Sequence, residues 1–507
     1  MTAAPLPDWL DPLFDAEEMR AADKWAIEEQ GVPSIDLMER AGAGLARLVA
    51  ETAGDGPVRV VIGKGNNGGD GLVVARLLRD EGRQVGVLAT GDVEELKGDA
   101  RVNLERLPGD PPEQFEAVKL EGSGVVVDAI FGTGFEGEPR EPAKGAIAAM
   151  NEVDAPVVAC DVPSGVNAAN GEVAGEAVRA DVTGTFHGSK IGLHVAPGTY
   201  HSGAVRVIEI GIPRGGPSAR TAGLISGRVL DLIPRRPRDG SKFTSGVVAV
   251  AGGARGLTGA PTMVALAAAR TGAGYVQVAI PESVETVLEL RLLEQMTSGM
   301  PDEDGAHVPG GVDEFKQLAE RAGAVVLGPG LGRTEGAQEF ARRVAREVEA
   351  PMLIDADGLN AHAGAIEALQ ARPGPTVITP HAGELGRLLD VESDEVNAHR
   401  LRLARDAAER GGVVVVLKGD DSIVAAPDGP VAVSPGSSPA LATAGTGDVL
   451  SGVIGTFLAK GLGAFEAAAA GVLAHARAGE EAARLHGAEH TVAGDVIDAV
   501  PAALFGP

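Results

Sequence analysis

The sequence predicts an α/β protein made of two three-layer αβα sandwiches. Three observations lead there. A chain of 507 residues is too long for one ordinary core. Short, continuous β-branched runs alternate with helical patterns, as in parallel strands buried on both faces. Many of the 72 glycines cluster directly after those runs, where an α/β protein places ligand loops.

Two helical patterns open the chain, over residues 16–30 and 34–50. In the second, Ser34 is the expected N-cap ahead of Leu37, Met38, Ala41 and Leu45 at helical spacing. Strands are expected at Val58–Ile62, Val85–Leu88, Val125–Ala129, Val157–Cys160, Val182–Phe186 and Val205–Ile210. The pattern breaks between Gly211 and Asp239, where Ile212 to Ser218 and Pro234 to Arg238 are loop chemistry. The boundary is placed near Ala222, giving domains over residues 1–222 and 223–507. A second series follows, with strands at Val247–Ala251, Tyr275–Ile280, Ala324–Leu327, Met352–Ile354, Thr376–Ile378, Val413–Leu417 and Ser422–Ala425. Helices are expected between them, notably Ala260–Thr271 and Glu335–Glu349, and Thr446–Ala502 is nearly all helical.

The formal net charge of −27 argues against nucleic acid as a partner, because phosphate backbones need a basic surface. No apolar run is long enough to span a bilayer, and Met1–Arg20 has no basic head before an apolar stretch, so a membrane or secretory fate is not expected. A single cysteine, Cys160, excludes an internal disulfide and fits the cytoplasm. Cys160 lies within a strand and is expected to be a small buried hydrophobe. His187, His194 and His201 lack metal-ligand spacing and read as scattered histidines. A homo-oligomer is expected.

The first constellation starts at Val60–Ile62, which leads into Gly63-Lys64-Gly65-Asn66-Asn67-Gly68-Gly69-Asp70-Gly71 and then the apolar helix Leu72–Leu78. A strand, a glycine-rich turn and a helix start make an anion site out of free amides. Such a turn alone is a weak signal, but two asparagines and an aspartate on it favour an oxygen-rich ligand or a cation. Asp128 and Asp161 end two further buried runs, and Ser164 follows the second. Parallel strands open on one edge, so Asn66–Asp70, Asp128 and Asp161–Ser164 converge there. The plainer reading, that both aspartates cap the next helices, fits less well because glycine-rich turns follow them.

The second constellation is Ala442-Thr443-Ala444-Gly445-Thr446-Gly447-Asp448-Val449-Leu450-Ser451-Gly452, followed by an apolar helix. Gly445, Thr446 and Gly447 direct amides at a phosphate from the helix start, and Asp448 reaches the hydroxyl that meets it. The alternative is a close-packed helix start with an aspartate cap. Val326–Gly332, Leu353–Asn360, Thr379–Glu384 and Leu417–Ser422 all follow apolar runs and should share the same sheet edge. His381, between Pro380 and Gly383, sits on a turn into a helix and is expected to be exposed at the site.

With these motifs in view, the first half resembles the NAD(P)HX epimerase domain of the bifunctional NAD(P)H-hydrate repair enzymes, from Ala16–Arg20 through Met38–Gly42 to Lys190–Gly192. The resemblance implies a Rossmann-like sandwich in which Asn66, Asn67, Gly68, Gly69 and Asp70 contact the hydrated nucleotide. It adds Gly132, Thr133, Gly134, Phe135, Glu136, Gly137 and Glu138 to that contact surface. Asn67, Asp128 and Ser164 would hold a potassium ion. Asp161 would contact substrate and act as acid or base, with Lys190 as the family's basic position, although Ile191 stands where a proline often follows.

The second half, from Gly240 to Ala502, resembles the ribokinase-like fold and within it the ADP-dependent NAD(P)HX dehydratase. By that resemblance Ala260, Gly332, His381 and Asp448 meet the hydrate. Lys418, Gly419, Asp420, Asp421 and Ser422, with Gly445, Thr446 and Gly447, meet ADP bound with magnesium. The implied reaction on NADHX or NADPHX is phosphorylation of the hydrate hydroxyl followed by elimination, releasing phosphate and AMP. Ser241–Gly246 and Ser437–Leu441 depart from the usual His-Lys-Gly and Asn-x-Pro-Gly-Met patterns, which puts loop detail near the nucleotide in question. The rival reading is a vitamin or sugar kinase that keeps its phosphorylated product, fused to a non-catalytic binding domain.

Overall fold

A computed structural model of the protein describes residues 6–53, 56–213, 215–216 and 220–505. The first five residues of the opening segment, and Arg214, Pro217 and Ser218 of the predicted connecting loop, lie outside that description. The chain forms two compact units: Pro12–Gly223 make the first, and Pro7–Asp11 join Leu224 onward in the second.

Strand β1 (Leu10–Leu13) leads into α1 (Ala16–Glu28). Asp15 accepts the Glu18 amide at 2.7 Å, and Glu18 reaches back to the Asp15 amide at 2.9 Å. This reciprocal cap satisfies two donors that a helix start leaves open. Helix α2 (Ser34–Thr52) begins one residue earlier than predicted: Pro33 is the cap and Ser34 is already helical, with no side-chain cap bond. The ring fixes the proline backbone angle and sets the entry without a hydroxyl.

The first unit's sheet has seven parallel strands in the order β4-β3-β2-β5-β6-β7-β8. In chain order these are β2 (Val58–Ile62), β3 (Val85–Ala89), β4 (Glu113–Gln114), β5 (Val125–Ala129), β6 (Val157–Cys160), β7 (Val182–Phe186) and β8 (Ala204–Ile208). The central strands are buried as their continuous apolar runs require, and Cys160 is fully buried among them. Strand β8 differs. It lies at the sheet edge with one neighbour, and all five of its residues are half-buried or exposed. Helix α3 (Asn66–Asp80) starts at Asn66, not at Leu72 as the glycine-rich loop suggested. Three glycines lower its helical propensity, but Gly68 is needed: a Cβ there would lie 2.2 Å from the Gly63 carbonyl oxygen.

The second unit's sheet has eleven strands in the order β1-β9-β20-β19-β18-β17-β16-β15-β10-β11-β12. They comprise β9 (Ala222–Ile225), β10 (Val247–Ala251), β11 (Tyr275–Pro281) and β12 (Met296–Met300). A small hairpin of β13 (Asp302–Glu303) and β14 (Ala306–His307) stands apart. The series continues with β15 (Ala324–Leu327), β16 (Met352–Ile354), β17 (Thr376–Ile378), β18 (Val414–Leu417), β19 (Ile423–Ala425) and β20 (Val431–Val433). Pairing is parallel from β18 through β12 and antiparallel from β18 to β20. The carboxyl ends of β10, β15, β16, β17 and β18 therefore open along one edge. Among the described residues, no helix is long and apolar enough to cross a membrane.

Candidate functional sites

At the carboxyl edge of the first sheet lies a cleft of about 870 Å³. Asp161 stands at its floor, just past β6, with a positive φ of 65°. Few side chains adopt that conformation without compensation, and here every carboxylate contact supplies some. One oxygen accepts the Thr133 amide at 3.2 Å and a short bond from the Thr133 hydroxyl. The other accepts Lys190 Nζ at 2.7 Å, the Thr185 hydroxyl at 3.2 Å and the Phe186 amide at 3.3 Å. Lys190 is fully buried, and its other contacts are Thr185 Oγ1 and the Phe186 carbonyl. Burial pushes the Asp161 carboxyl up, but the Lys190 charge and these hydrogen bonds outweigh it and hold the group below its ordinary value. Asp161 is thus a carboxylate at neutral pH.

Of the predicted contacts, Asn66, Asn67, Asp70, Gly132, Thr133, Gly134, Phe135, Glu136, Glu138, Asp161 and Lys190 line the cleft. Gly68, Gly69 and Gly137 do not. Gly69 packs on Met38, where a Cβ would meet the thioether at 2.8 Å, and Gly137 makes a left-handed turn at φ 84°. Phe131 and Phe135 stack at 4.5 Å, forming a flat apolar wall.

Asp128 and Ser164 lie behind the cleft. The Asp128 carboxylate accepts the Ser164 amide at 2.8 Å, the Ser164 hydroxyl at 2.6 Å and the Ile130 amide at 3.2 Å. Neither Asp128 nor Asp161 caps a helix. Burial raises the Asp128 carboxyl to about 6, and among the described residues no lysine or arginine acts on it. Asn67 donates to the Phe131 carbonyl at 2.9 Å, which the Ser164 hydroxyl also approaches at 3.3 Å. Its own Oδ1 sits where a Cβ on Gly132 would come within 2.9 Å. A buried carboxylate with no side-chain cation, surrounded by neutral oxygens and faced by a glycine, fits a monovalent cation better than a divalent one.

In the second unit a pocket of about 440 Å³ is lined by Lys418, Gly419, Asp420, Ser422, Thr446 and Gly447 among the predicted residues. Helix Thr446–Ala459 starts there from Gly445, whose φ of 95° only glycine adopts readily. Its free amides and Lys418 suit a phosphate, and Leu441, Leu450 and Val472 suit a flat ring. Gly445 itself packs under Met263. Asp421 is turned away from the pocket. It pairs with Arg400 through two bonds of 2.9 and 2.8 Å, both residues buried, so it braces the loop.

Lys418 joins this pocket to a carboxylate group. Its Nζ lies 3.0 Å from Asp355 and 3.6 Å from Glu384. Ser451 donates to the other Asp355 oxygen at 2.8 Å. Burial, then the Asp355 charge, push the Asp448 carboxyl up to about 7, and Lys418 only partly opposes them. His381 caps the helix Ala382–Leu389: its Nδ1 accepts the Gly383 and Glu384 amides at 3.0 and 3.3 Å. That leaves the proton on Nε2, on a ring more than half exposed. Ala260 lies in the first turn of Gly259–Thr271, and the Gly332 amide donates to Asp357 at 3.0 Å. Neither they nor His381 and Asp448 line the phosphate-side pocket. They follow strands of the same edge.

Asp23, Arg20 and Met19 line the first cleft and were not anticipated there; Asp355 and Glu384 beside Lys418 lie in motifs expected to share one sheet edge but were given no role of their own. Arg20 and Asp23 carried a legible signal, because they share the helical face of Ala16 and Met19, a face otherwise buried.

A family profile described as NAD(P)H-hydrate dehydratase matches residues 248–502, and one described as YjeF-related protein N-terminus matches residues 34–192. A bifunctional NAD(P)H-hydrate repair enzyme of Salinibacter ruber is 41% identical over 450 residues, covering 82% of each chain. One of Moorella thermoacetica is 38% identical over 511 residues, covering 97% of this chain and 96% of its own. An ADP/ATP-dependent NAD(P)H-hydrate dehydratase from Bacillus subtilis, crystallised with ATP and Mg2+, is 28% identical, with a TM-score of 0.47 over 54% of this chain and 94% of its own.

Proposed function

This chain belongs to the bifunctional NAD(P)H-hydrate repair enzymes, and from that premise we propose which residues carry each half of the repair. The enzyme interconverts the R and S forms of hydrated NAD(P)H and dehydrates the S form back to NAD(P)H. We assign epimerisation to residues 1–222 and dehydration to residues 223–507.

In the first cleft Asp161 is the base, and Lys190 keeps it ionised. The amides and side chains of Asn66–Asp70 and Gly132–Glu138 hold the nucleotide, with the Phe131–Phe135 stack against a ring. Potassium is assigned to Asn67, Asp128 and Ser164, where it would supply positive charge to a buried carboxylate. The observation that supports this is the Asp128 carboxylate without a cationic side chain.

In the second unit the single observation that carries the assignment is Asp448. It stands one residue past Gly447, at a helix start facing Lys418, and burial sets it near neutrality. Asp448 takes the proton of the hydrate hydroxyl as that oxygen attacks the terminal phosphorus of ADP, whose bond to the bridging oxygen breaks to release AMP. Amides of Gly445–Gly447 and Lys418 stabilise the charge on the transferring group. Phosphate then leaves with the carbon–oxygen electrons, the ring nitrogen assisting, and loss of a ring proton restores the double bond. His381 Nε2 donates to the substrate, and Ala260 and Gly332 leave room for it. Magnesium would neutralise the donor's phosphates when bound. The assignment extends to a cytoplasmic homo-oligomer; the exposed Leu290 and Leu293 near the edge strand β12 support self-association, which sedimentation of the protein checks.

The deciding assay is incubation with NADHX and either ADP or ATP. Recovery of NADH near-ultraviolet absorbance with stoichiometric phosphate is expected. A stable phosphorylated product would instead support the kinase alternative.

A further inference from the structure

Building on the epimerase reading of the first cleft, we propose that Asp70 and Asp23 together form the acid that protonates the departing hydroxyl, with Asp161 as the base. Placement carries this. Helix α1 is pinned beside Lys190, because the Phe14 amide donates to the Ser189 carbonyl at 2.8 Å and the Ile191 amide donates to the Phe14 carbonyl at 3.1 Å. From that anchor α1 presents Ala16, Met19, Arg20 and Asp23 to the cleft. Spacings of three, four and seven make one helical face. A helix that merely packs keeps such a face apolar. Asp70 enters the same cleft from the first turns of α3 and is buried.

Among the described residues neither aspartate has an ion-pair partner. Lys190 is engaged with Asp161, Thr185 and Phe186. Three carboxylates around one lysine in a buried site cannot all ionise. Burial, then the charges of Asp161 and Asp23, push Asp70 well up, and burial also raises Asp23 to about 6. The Asp23 charge thus favours the protonated form of Asp70. The other charged groups facing the cleft are Arg20 on α1, Lys64 ahead of α3, and Glu136, Glu138, Arg140 and Glu141 after β5. Of all these groups, only Asp161, Asp23 and Lys190 act on Asp70.

The chemistry balances without a redox partner. Hydration leaves a hydroxyl on the ring carbon next to nitrogen. The Asp70–Asp23 pair gives its proton to that oxygen. The carbon–oxygen bond breaks with its electrons on oxygen, water departs, and the nitrogen lone pair forms a C=N bond. Water then adds to the opposite face, the C=N electrons return to nitrogen, and the extra proton passes to Asp161. In the reverse direction the two sides exchange roles, as an epimerase requires.

The test compares full-length parent, Asp70→Asn and Asp23→Asn for exchange between R and S NADHX across pH 5 to 9. Dehydration of S-NADHX reports the other site, and a melting curve reports folding; Asp23→Ser removes the same charge should Asn not fold. Asp70→Asn is expected to lose about a hundredfold or more of exchange, with dehydration unchanged. The parent rate should fall as pH rises through the titration of Asp70. Asp23→Asn should move that fall to lower pH, because Asp70 loses a like charge. A merely structural Asp23 would lower the melting point and leave the profile in place. Superimposed profiles would overturn the pairing, and a parental rate in Asp70→Asn would overturn the acid. A parent that dehydrates S-NADHX but exchanges no faster than the uncatalysed reaction would overturn the epimerase assignment itself.

Discussion

Both sites set carboxylates against one lysine, fully buried in the first and half-buried in the second, and they use the lysine differently. In the first unit Lys190 is bonded to Asp161, the proposed base, which is ionised at rest. In the second, Lys418 is bonded to Asp355 and approached by Glu384, and the proposed base Asp448 is left near neutrality. A lysine committed to the base gives a permanent carboxylate. A lysine committed to a neighbour gives a base that switches near pH 7. The first arrangement suits moving water on and off one carbon. The second suits taking a proton only when phosphoryl transfer makes it acidic.

The largest expected effect tests the second half of that comparison. Asp448→Asn should cut dehydration by about a hundred- to ten-thousand-fold and leave R/S exchange untouched. Its stability should move the other way. Ionising a carboxyl whose folded value is raised costs stability; the cost is absent below the ordinary value of 3.8 and complete above about 7. The melting temperature of Asp448→Asn relative to the parent should therefore rise between pH 4 and pH 8. A helix cap alone would give near-parental rates, since Asn caps as well as Asp.

Lys190→Met tests the first half. It strands a buried carboxylate, and losing one partner of a buried pair costs about 3–5 kcal/mol. Denaturant unfolding should show that loss mainly above pH 5, where Asp161 is ionised, and little of it at pH 3. Equal loss at both pH values would mean that Lys190 acts through packing.

A smaller effect separates the two sites by pH alone. Dehydration should fall about tenfold per unit below pH 7, as Asp448 protonates. Exchange should hold through that range and fall on the alkaline side. Parallel profiles for the two activities would erase the distinction drawn between the lysines. The smallest change is Ser451→Ala, which removes one 2.8 Å hydrogen bond to Asp355. A loss of about 1.5–3 kcal/mol is expected for a bond to a charged group, with the dehydration profile shifting because Asp355 then acts on Asp448 and Lys418 less well held.

The sequence announced the sheets through runs such as Val157–Cys160 and Ala324–Leu327, because a strand buried on both faces is apolar almost throughout. It hid β1, β9 and β12, which carry proline, glycine or polar residues, and β20, an apolar run of only three residues. The start of α3 was masked by glycines that a helix rarely tolerates and that close packing demands here, Gly68 on Gly63 and Gly69 on Met38. Asp161 and Asp448 were singled out from dense local motifs, whereas Lys190 was expected only from the family resemblance; the structure bonds Lys190 to Asp161. Asp355, Glu384 and Lys418 follow apolar runs, so a shared edge was expected, but the 3.0 and 3.6 Å contacts at Lys418 depend on side-chain reach that strand patterning does not encode. Asp421 shows the reverse case, a motif member that folding turns toward Arg400.

Residues Pro7–Asp11 belong with the second unit although the first unit follows them in sequence. Trp9 is buried there with its ring 5.5 Å from Phe465, its carbonyl accepts Ser226 Oγ at 2.8 Å, and Asp11 pairs with Arg228 at 2.5 Å. In gene order the first fold is therefore an insertion near the start of the second, not a bead threaded ahead of it. Dividing the gene at residue 223 would leave the second unit without Trp9 and the first unit carrying Pro7–Asp11. A clean division would splice Pro7–Asp11 directly onto Leu224, and the excised cassette would be the portable part.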